Sequence, residues 1–77
     1  MSKEFDKKIG KTLRAKRKAK GLSQEYVASL LNVSKNHVSH WEIGKRRMYA
    51  ESLENYCRIL GCSMQDIFDE MERIEQS

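Results

Sequence analysis

Two helix starts and one helix stop fall within the short stretch from Ser23 to Glu42, SQEYVASLLNVSKNHVSHWE, and a second stop follows two residues later at Gly44. This spacing predicts two brief helices meeting at a sharp turn. Ser23 and Ser34 each stand just before an apolar-periodic run, where a hydroxyl accepts a hydrogen bond from an otherwise unpaired first-turn amide. Asn32, between them, tolerates the left-handed backbone that ends a helix, and Gly44 stops the second helix for the same reason. Val27, Ala28 and Leu31 give the first helix one apolar face, and Val38 and Trp41, three apart, do so for the second. Ala28 is small where the two helices should cross, and Val33 can plug the turn. Lys35, Asn36, His37, Ser39 and His40 are thereby left on the outer side of the second helix.

The flanking sequence extends the helical pattern in both directions. Ser2 is placed to cap a first helix with Glu4 and Asp6 near its positive end and basic residues toward the other. Phe5, Ile9 and Leu13 form the inward stripe of that helix, Gly21 closes it, and Leu22 packs just past the end. After the second and third helices, Gln24 to Leu31 and Lys35 to about Ile43, a basic loop of Lys45, Arg46 and Arg47 leads through Met48 and Tyr49. A fourth helix, about Ala50 to Leu60, turns Leu53, Tyr56, Cys57 and Leu60 inward and ends at Gly61. Ser63 with Asp66 three residues on is a capping-box variant opening a fifth helix over residues 63–77. There is no proline, no strand-like alternation and no repeat, so the expected fold class is all-α, five helices in a single domain over residues 1–77.

Charge says more about partners than its total of +4 does. Residues 1–50 hold 13 Lys/Arg against 4 Asp/Glu, net +9, whereas residues 51–77 hold 2 against 7, net −5. A basic half that contains the paired helices suits a polyanion on one face and something else on the other. Taken alone, Lys16, Arg17, Lys18 and Lys20 would describe an ordinary solvated helix face. Cys57 and Cys62 lie in a stretch that reads as core, which suggests buried structural thiols. With His37 and His40 they match no four-ligand spacing, so neither metal nor cofactor is expected. The sequence shows no signal peptide and no transmembrane-length apolar run, which points to the cytoplasm and away from a membrane.

With these residues in place, the chain resembles the lambda/434 repressor and Cro type of helix-turn-helix, the XRE-like family, over roughly Ile9 to Phe68. The resemblance rests on Ile9-Gly10, Leu13-Arg14, Arg17, Gly21-Leu22-Ser23-Gln24, Val27-Ala28, Val33-Ser34, Val38-Ser39, Trp41-Glu42, Gly44-Lys45-Arg46, Leu53, Leu60-Gly61 and Ser63. It implies a compact five-helix domain whose helices 2 and 3 form the helix-turn-helix, and a double-stranded DNA partner. It further implies that Gln24 contacts backbone phosphate and sometimes a base edge, that Lys35, Asn36 and His40 face the major groove, and that Arg17 and Glu42 form an internal ion pair. The chemistry suits base reading: Asn36 can bond adenine N6 and N7, Lys35 can donate to guanine O6 and N7, and His40 can donate or accept. His37, Ser39, Lys45, Arg46 and Arg47 are assigned to phosphates or the groove edge. Asn32 stands where the family usually has glycine, Met48 where proline is common, and Leu30 and Ile43 where polar side chains are frequent.

One such domain covers few base pairs, so the expected mode is a homodimer on a palindromic operator, acting as a transcriptional regulator and repressor. In the last helix Met64, Ile67, Phe68, Met71 and Ile74 continue one stripe although the family core needs only the first three. Phe68, Met71 and Ile74 are therefore the dimerisation candidates, with Met71 and Ile74 expected to be surplus to the core; the alternative is a frayed tail whose apolar residues fold back on the domain. An enzyme is not expected, since neither a glycine-rich phosphate loop nor a nucleophile with its base is present. The alternative is a protein-interaction module on the same scaffold, such as an antitoxin whose acidic last helix caps a basic toxin, and polymerase is a further possible protein partner. RNA is disfavoured because Trp41 and Tyr56 read as packing residues rather than a stacking platform.

Overall fold

The computed structural model describes residues 3–76, with side chains as far as Arg73. Five helices and no strand are present among them: α1 Lys3–Ala19, α2 Gln24–Leu31, α3 Lys35–Glu42, α4 Ala50–Leu60 and α5 Met64–Gln76. The expected cap at Ser2 and the side chain of Ile74 lie outside the described residues. Ser23 Oγ accepts from the Tyr26 amide at 3.0 Å and Ser34 Oγ from the His37 amide at 3.1 Å, so both short helices start where a hydroxyl takes up an orphan amide. At the start of α5 the box is reciprocal: the Asp66 amide donates to Ser63 Oγ at 3.0 Å and the Ser63 amide to Asp66 Oδ2 at 2.9 Å.

Helices α1 to α4 all end in the same way. After each, a left-handed residue, Gly21, Asn32 (φ 58°), Gly44 or Gly61, reverses the chain. The next amide then bonds back to a carbonyl five residues earlier: Leu22 to Arg17, Val33 to Ala28, Lys45 to His40 and Cys62 to Cys57, at 2.9–3.1 Å. This is the Schellman closure, which satisfies carbonyls that the helix end would otherwise leave unpaired. Four repeats of one stop signal explain how five helices fit into so short a chain.

Packing is centred on Leu13, Val27, Val38, Tyr56 and Ile67, none of which is exposed. Helix α1 lies against both α3 and α5. Its approach to α3 is set by Gly10, where an added Cβ would lie against the Trp41 carbonyl oxygen and 2.6 Å from that of Glu42. Met48 enters the core from the loop, a position read only as a loop residue in the sequence. The expectation that Met71 is surplus to the core fails: the residue is 8% exposed and belongs to the central cluster. The physical reason is the length of α1, whose first turn carries Phe5 to stack on Phe68 with ring centroids 6.5 Å apart. That contact gives α5 an additional apolar turn to cover. Cys57 is buried as expected, but Cys62 is half-exposed, because it lies beyond the helix end rather than on its inward face.

Candidate nucleic-acid interface

Buried Val38 and Trp41 turn the opposite side of α3 outward. Lys35 and Asn36 are exposed on its first turn, and His40 is half-exposed one turn later. Lys35 Nζ lies 4.0 Å from Glu25 Oε1, both side chains well exposed, so the lysine remains available to a stronger acceptor. Ser39 is half-exposed beside them. These side chains span less than two helical turns, a stretch of helix that can address adjacent base edges in the major groove.

The basic loop borders this row, and its three cations have different surroundings. Lys45 is exposed at the turn. Arg46 Nη1 lies 3.2 Å from Nε2 and 3.4 Å from Nδ1 of His37, whose ring also packs on Trp41 at 4.5 Å between centroids. Partial burial, then Arg46, then His40 hold the His37 imidazole below its ordinary value, so at neutral pH the ring is uncharged beside the guanidinium. Arg47 Nε is 3.8 Å from Asp6 Oδ2, which ties the loop to α1. His37 and Arg47 were assigned only to phosphate or groove edge; here each also has an intramolecular role.

Behind the surface, Glu42 collects four hydrogen bonds. Arg17 Nε donates to Oε2 at 2.8 Å and Nη2 to Oε1 at 3.1 Å, the Tyr56 hydroxyl to Oε2 at 2.6 Å, and Gln24 Nε2 to Oε1 at 3.0 Å. Arg17 Nη1 also donates to the Leu22 carbonyl at 2.6 Å. Burial pushes the Glu42 carboxyl up, but donation from Arg17, Tyr56 and Gln24 together with the Arg17 charge outweighs it and holds the group below its ordinary range. The bond to Glu42 raises Arg17, and burial followed by the neighbouring carboxylate raises the Tyr56 hydroxyl. Arg17 and Glu42 thus join α1 to α3, while Tyr56 adds α4 and Gln24 adds α2. No described buried side-chain nitrogen or oxygen lacks a hydrogen-bond partner.

The Tyr56 link had no sequence signal, because an aromatic at core spacing reads as core whether or not its hydroxyl has work to do. The exposed Tyr49, 73% accessible at the start of α4, was likewise missed. It lines a shallow groove with His37, Trp41, Arg46, Arg47 and Ser52, adjacent to the α3 face. Tyr26 and Leu30 on α2 are also exposed, as is Ile43.

This geometry agrees with comparison to known proteins, where the family described as Helix-turn-helix matches residues 13–67. The chain belongs to the helix-turn-helix family, XRE and Cro/C1 type. Its fold is shared with a crystal structure of the clp gene regulator ClgR from Corynebacterium glutamicum, with a TM-score of 0.84 and 30% identity over 87% of this chain and 71% of that one. A second ClgR crystal structure from C. glutamicum gives a TM-score of 0.83 and 30% identity over 87% of this chain and 86% of the other. No curated protein matches the chain. In this helix-turn-helix protein α2 and α3 are the paired helices. No described helix is long and apolar enough to cross a membrane.

Proposed function

We propose that this DNA-binding regulator reads a palindromic operator as a homodimer and represses transcription from it. The observation that carries the reading is the outward row of Lys35, Asn36 and His40 on a helix whose orientation is held by the buried Glu42 network. Lys45 and Arg46 beside that row supply charge for the phosphates, the sequence-independent part of binding, while the α3 side chains supply discrimination. Each well-made bidentate base contact is worth about 1–3 kcal/mol. One copy offers few of these, so two copies on half-sites roughly 34 Å apart are needed for operator-level specificity. A dimer seated over a promoter excludes polymerase.

The surface for the second copy is the open groove between α1 and α5, lined by Phe5, Lys8, Phe68, Met71 and Glu72. Support for the groove is its apolar lining by Phe5, Phe68 and Met71, which a second copy of the same face could cover. Met71 contributes the floor rather than a protruding contact, since it is buried in the protomer.

Selection of bound duplexes from a random pool tests the reading, followed by titration of the selected site and of random duplex with Asn36→Ala and His40→Ala. Inverted half-sites, and losses confined to the selected site, are the expected result. Equal loss on both duplexes would remove these residues from base reading, and a selected single half-site bound by a monomer would remove the palindrome and the dimer.

A further inference from the structure

The end of α4 carries an arrangement that DNA binding does not use. Its closure links the Cys62 amide to the Cys57 carbonyl at 3.0 Å and the Gly61 amide to that of Arg58 at 3.2 Å. A side-chain contact between the two residues at the ends of the longer bond frequently accompanies this closure, and the Cys57 and Cys62 side chains are hydrogen-bonding neighbours here. At the other three helix ends those places hold Arg17 with Leu22, Ala28 with Val33, and His40 with Lys45. Here both are cysteine, both are free thiols, and both line one surface pocket with Glu54, Arg58, Ser63 and Met64.

We infer that Cys57 and Cys62 form an oxidisable dithiol site whose substrate is a small peroxide and whose product is an intramolecular disulfide across the α4 cap. A disulfide needs Cα atoms about 4.4–6.8 Å apart and converging Cβ atoms; the 3.0 Å bond from the Cys62 amide to the Cys57 carbonyl holds the two backbones together, and the two thiols already meet as hydrogen-bonding neighbours. The sulfur of Cys62, the half-exposed residue of the pair, attacks first. Its thiolate displaces hydroxide from hydrogen peroxide to give a sulfenic acid, and the hydroxide leaves as water with the thiol proton. The Cys57 sulfur then attacks the sulfenic sulfur, the S–S bond forms, and the second oxygen leaves as water with the Cys57 proton. Two thiols and one peroxide thus become one disulfide and two waters.

The roles of the two sulfurs differ because their surroundings differ. Burial, then the neighbouring Cys62, pushes the Cys57 thiol up to about 12, which suits it to the second, intramolecular step rather than to direct attack on peroxide. The bond closes only the last turn of α4 and leaves α2, α3 and their Glu42 network in place. Oxidation therefore adds a cross-link to the folded state and constrains the unfolded one.

Trypsin offers a direct readout, since cleavage after Arg47, Arg58 and Arg73 puts Cys57 and Cys62 in separate peptides, residues 48–58 and 59–73. The reduced full chain is treated with a small excess of hydrogen peroxide, quenched with an alkylating agent in denaturant, and digested. The expected product is a monomer lighter by two hydrogens, with the two peptides joined, no alkylatable thiol, and a melting temperature several degrees higher that dithiothreitol reverses. Cys62→Ser, a change at a half-exposed position, should keep the fold, lose the cross-link and leave Cys57 alkylatable only after denaturation. Disulfide-linked dimers, sulfinic acid at Cys62 with Cys57 still free, no reaction, or a lowered melting temperature in the cross-linked monomer would each overturn the inference.

Discussion

Replacing Glu42 with glutamine tests the central network, because the change removes one charge and almost no volume. The carboxylate is completely buried, and the Arg17 side chain facing it is 7% exposed. Removing one partner of a buried ion pair generally costs about 3–5 kcal/mol, chiefly by leaving the other charge without compensation. Glutamine retains one acceptor oxygen, so the lower end, about 3 kcal/mol, is expected. For a small domain whose total stability is about 5–15 kcal/mol, that loss is a substantial fraction, readable as a shift in the urea midpoint by circular dichroism. The pH dependence gives an independent check. Because the folded state holds the carboxyl below its ordinary value, the Glu42 contribution is fully present above the unfolded carboxylate pKa and is lost as pH falls through the folded value. The gap between Glu42→Gln and the parent should therefore be widest near neutrality and narrow through the acid range. A neutral-pH loss below about 1 kcal/mol, the size of an ordinary exposed pair, would refute the reasoning. So would a gap that does not narrow with acid.

Gly10→Ala should destabilise although the site is helical, because the methyl collides with the carbonyls of Trp41 and Glu42; overpacking of about 1–3 kcal/mol exceeds the gain of about 1 kcal/mol in helix propensity. A stabilised variant in urea titration would show that α1 and α3 are not so close. Met71→Ala should cost about 2 kcal/mol or more by cavity formation, at concentrations so low that only monomer is present; a loss seen only at high concentration would assign the residue to an interface instead. Arg46→Ala should flatten the log-log salt dependence of DNA affinity by about 0.9 for the lost phosphate contact. It should also raise the His37 pKa toward its ordinary value, followed by imidazole proton shifts; an unchanged slope or an unchanged titration would refute the corresponding contact.

The helices were legible because their boundaries are chemically marked. Serine hydroxyls at positions 23, 34 and 63 and left-handed residues at 21, 32, 44 and 61 state where helices begin and end without reference to tertiary structure. What lay beyond reach depends on pairs distant in sequence. The Phe5 and Phe68 stacking that draws Met71 into the core joins the two ends of the chain, and neither helix alone records it. Periodicity placed Tyr56 inside, but where its hydroxyl points is decided by Glu42 on another helix. Tyr49 shows the opposite failure, an aromatic that composition treats as apolar but that the start of α4 turns outward. His37 occupies the outer side as its spacing predicts, yet the lowering of its pKa comes from burial and from Arg46 nine residues on.

Gln24 is where structural and binding roles meet. Its amide carries two N–H donors and one carbonyl, and one donor is committed to Glu42 Oε1 at 3.0 Å. The second N–H remains for an acceptor, and on the proposed reading a phosphate at the start of α2 supplies it. The same carboxylate that holds α3 against α1 thereby orients the first side chain of α2, so phosphate anchor and base-reading helix share one buried reference point. An amide held this way needs little reordering on binding, a saving that a free surface glutamine would not provide. Glutamate at position 24 would instead set two carboxylates together beside a single guanidinium, and would lose the anchor and strain the scaffold in one step.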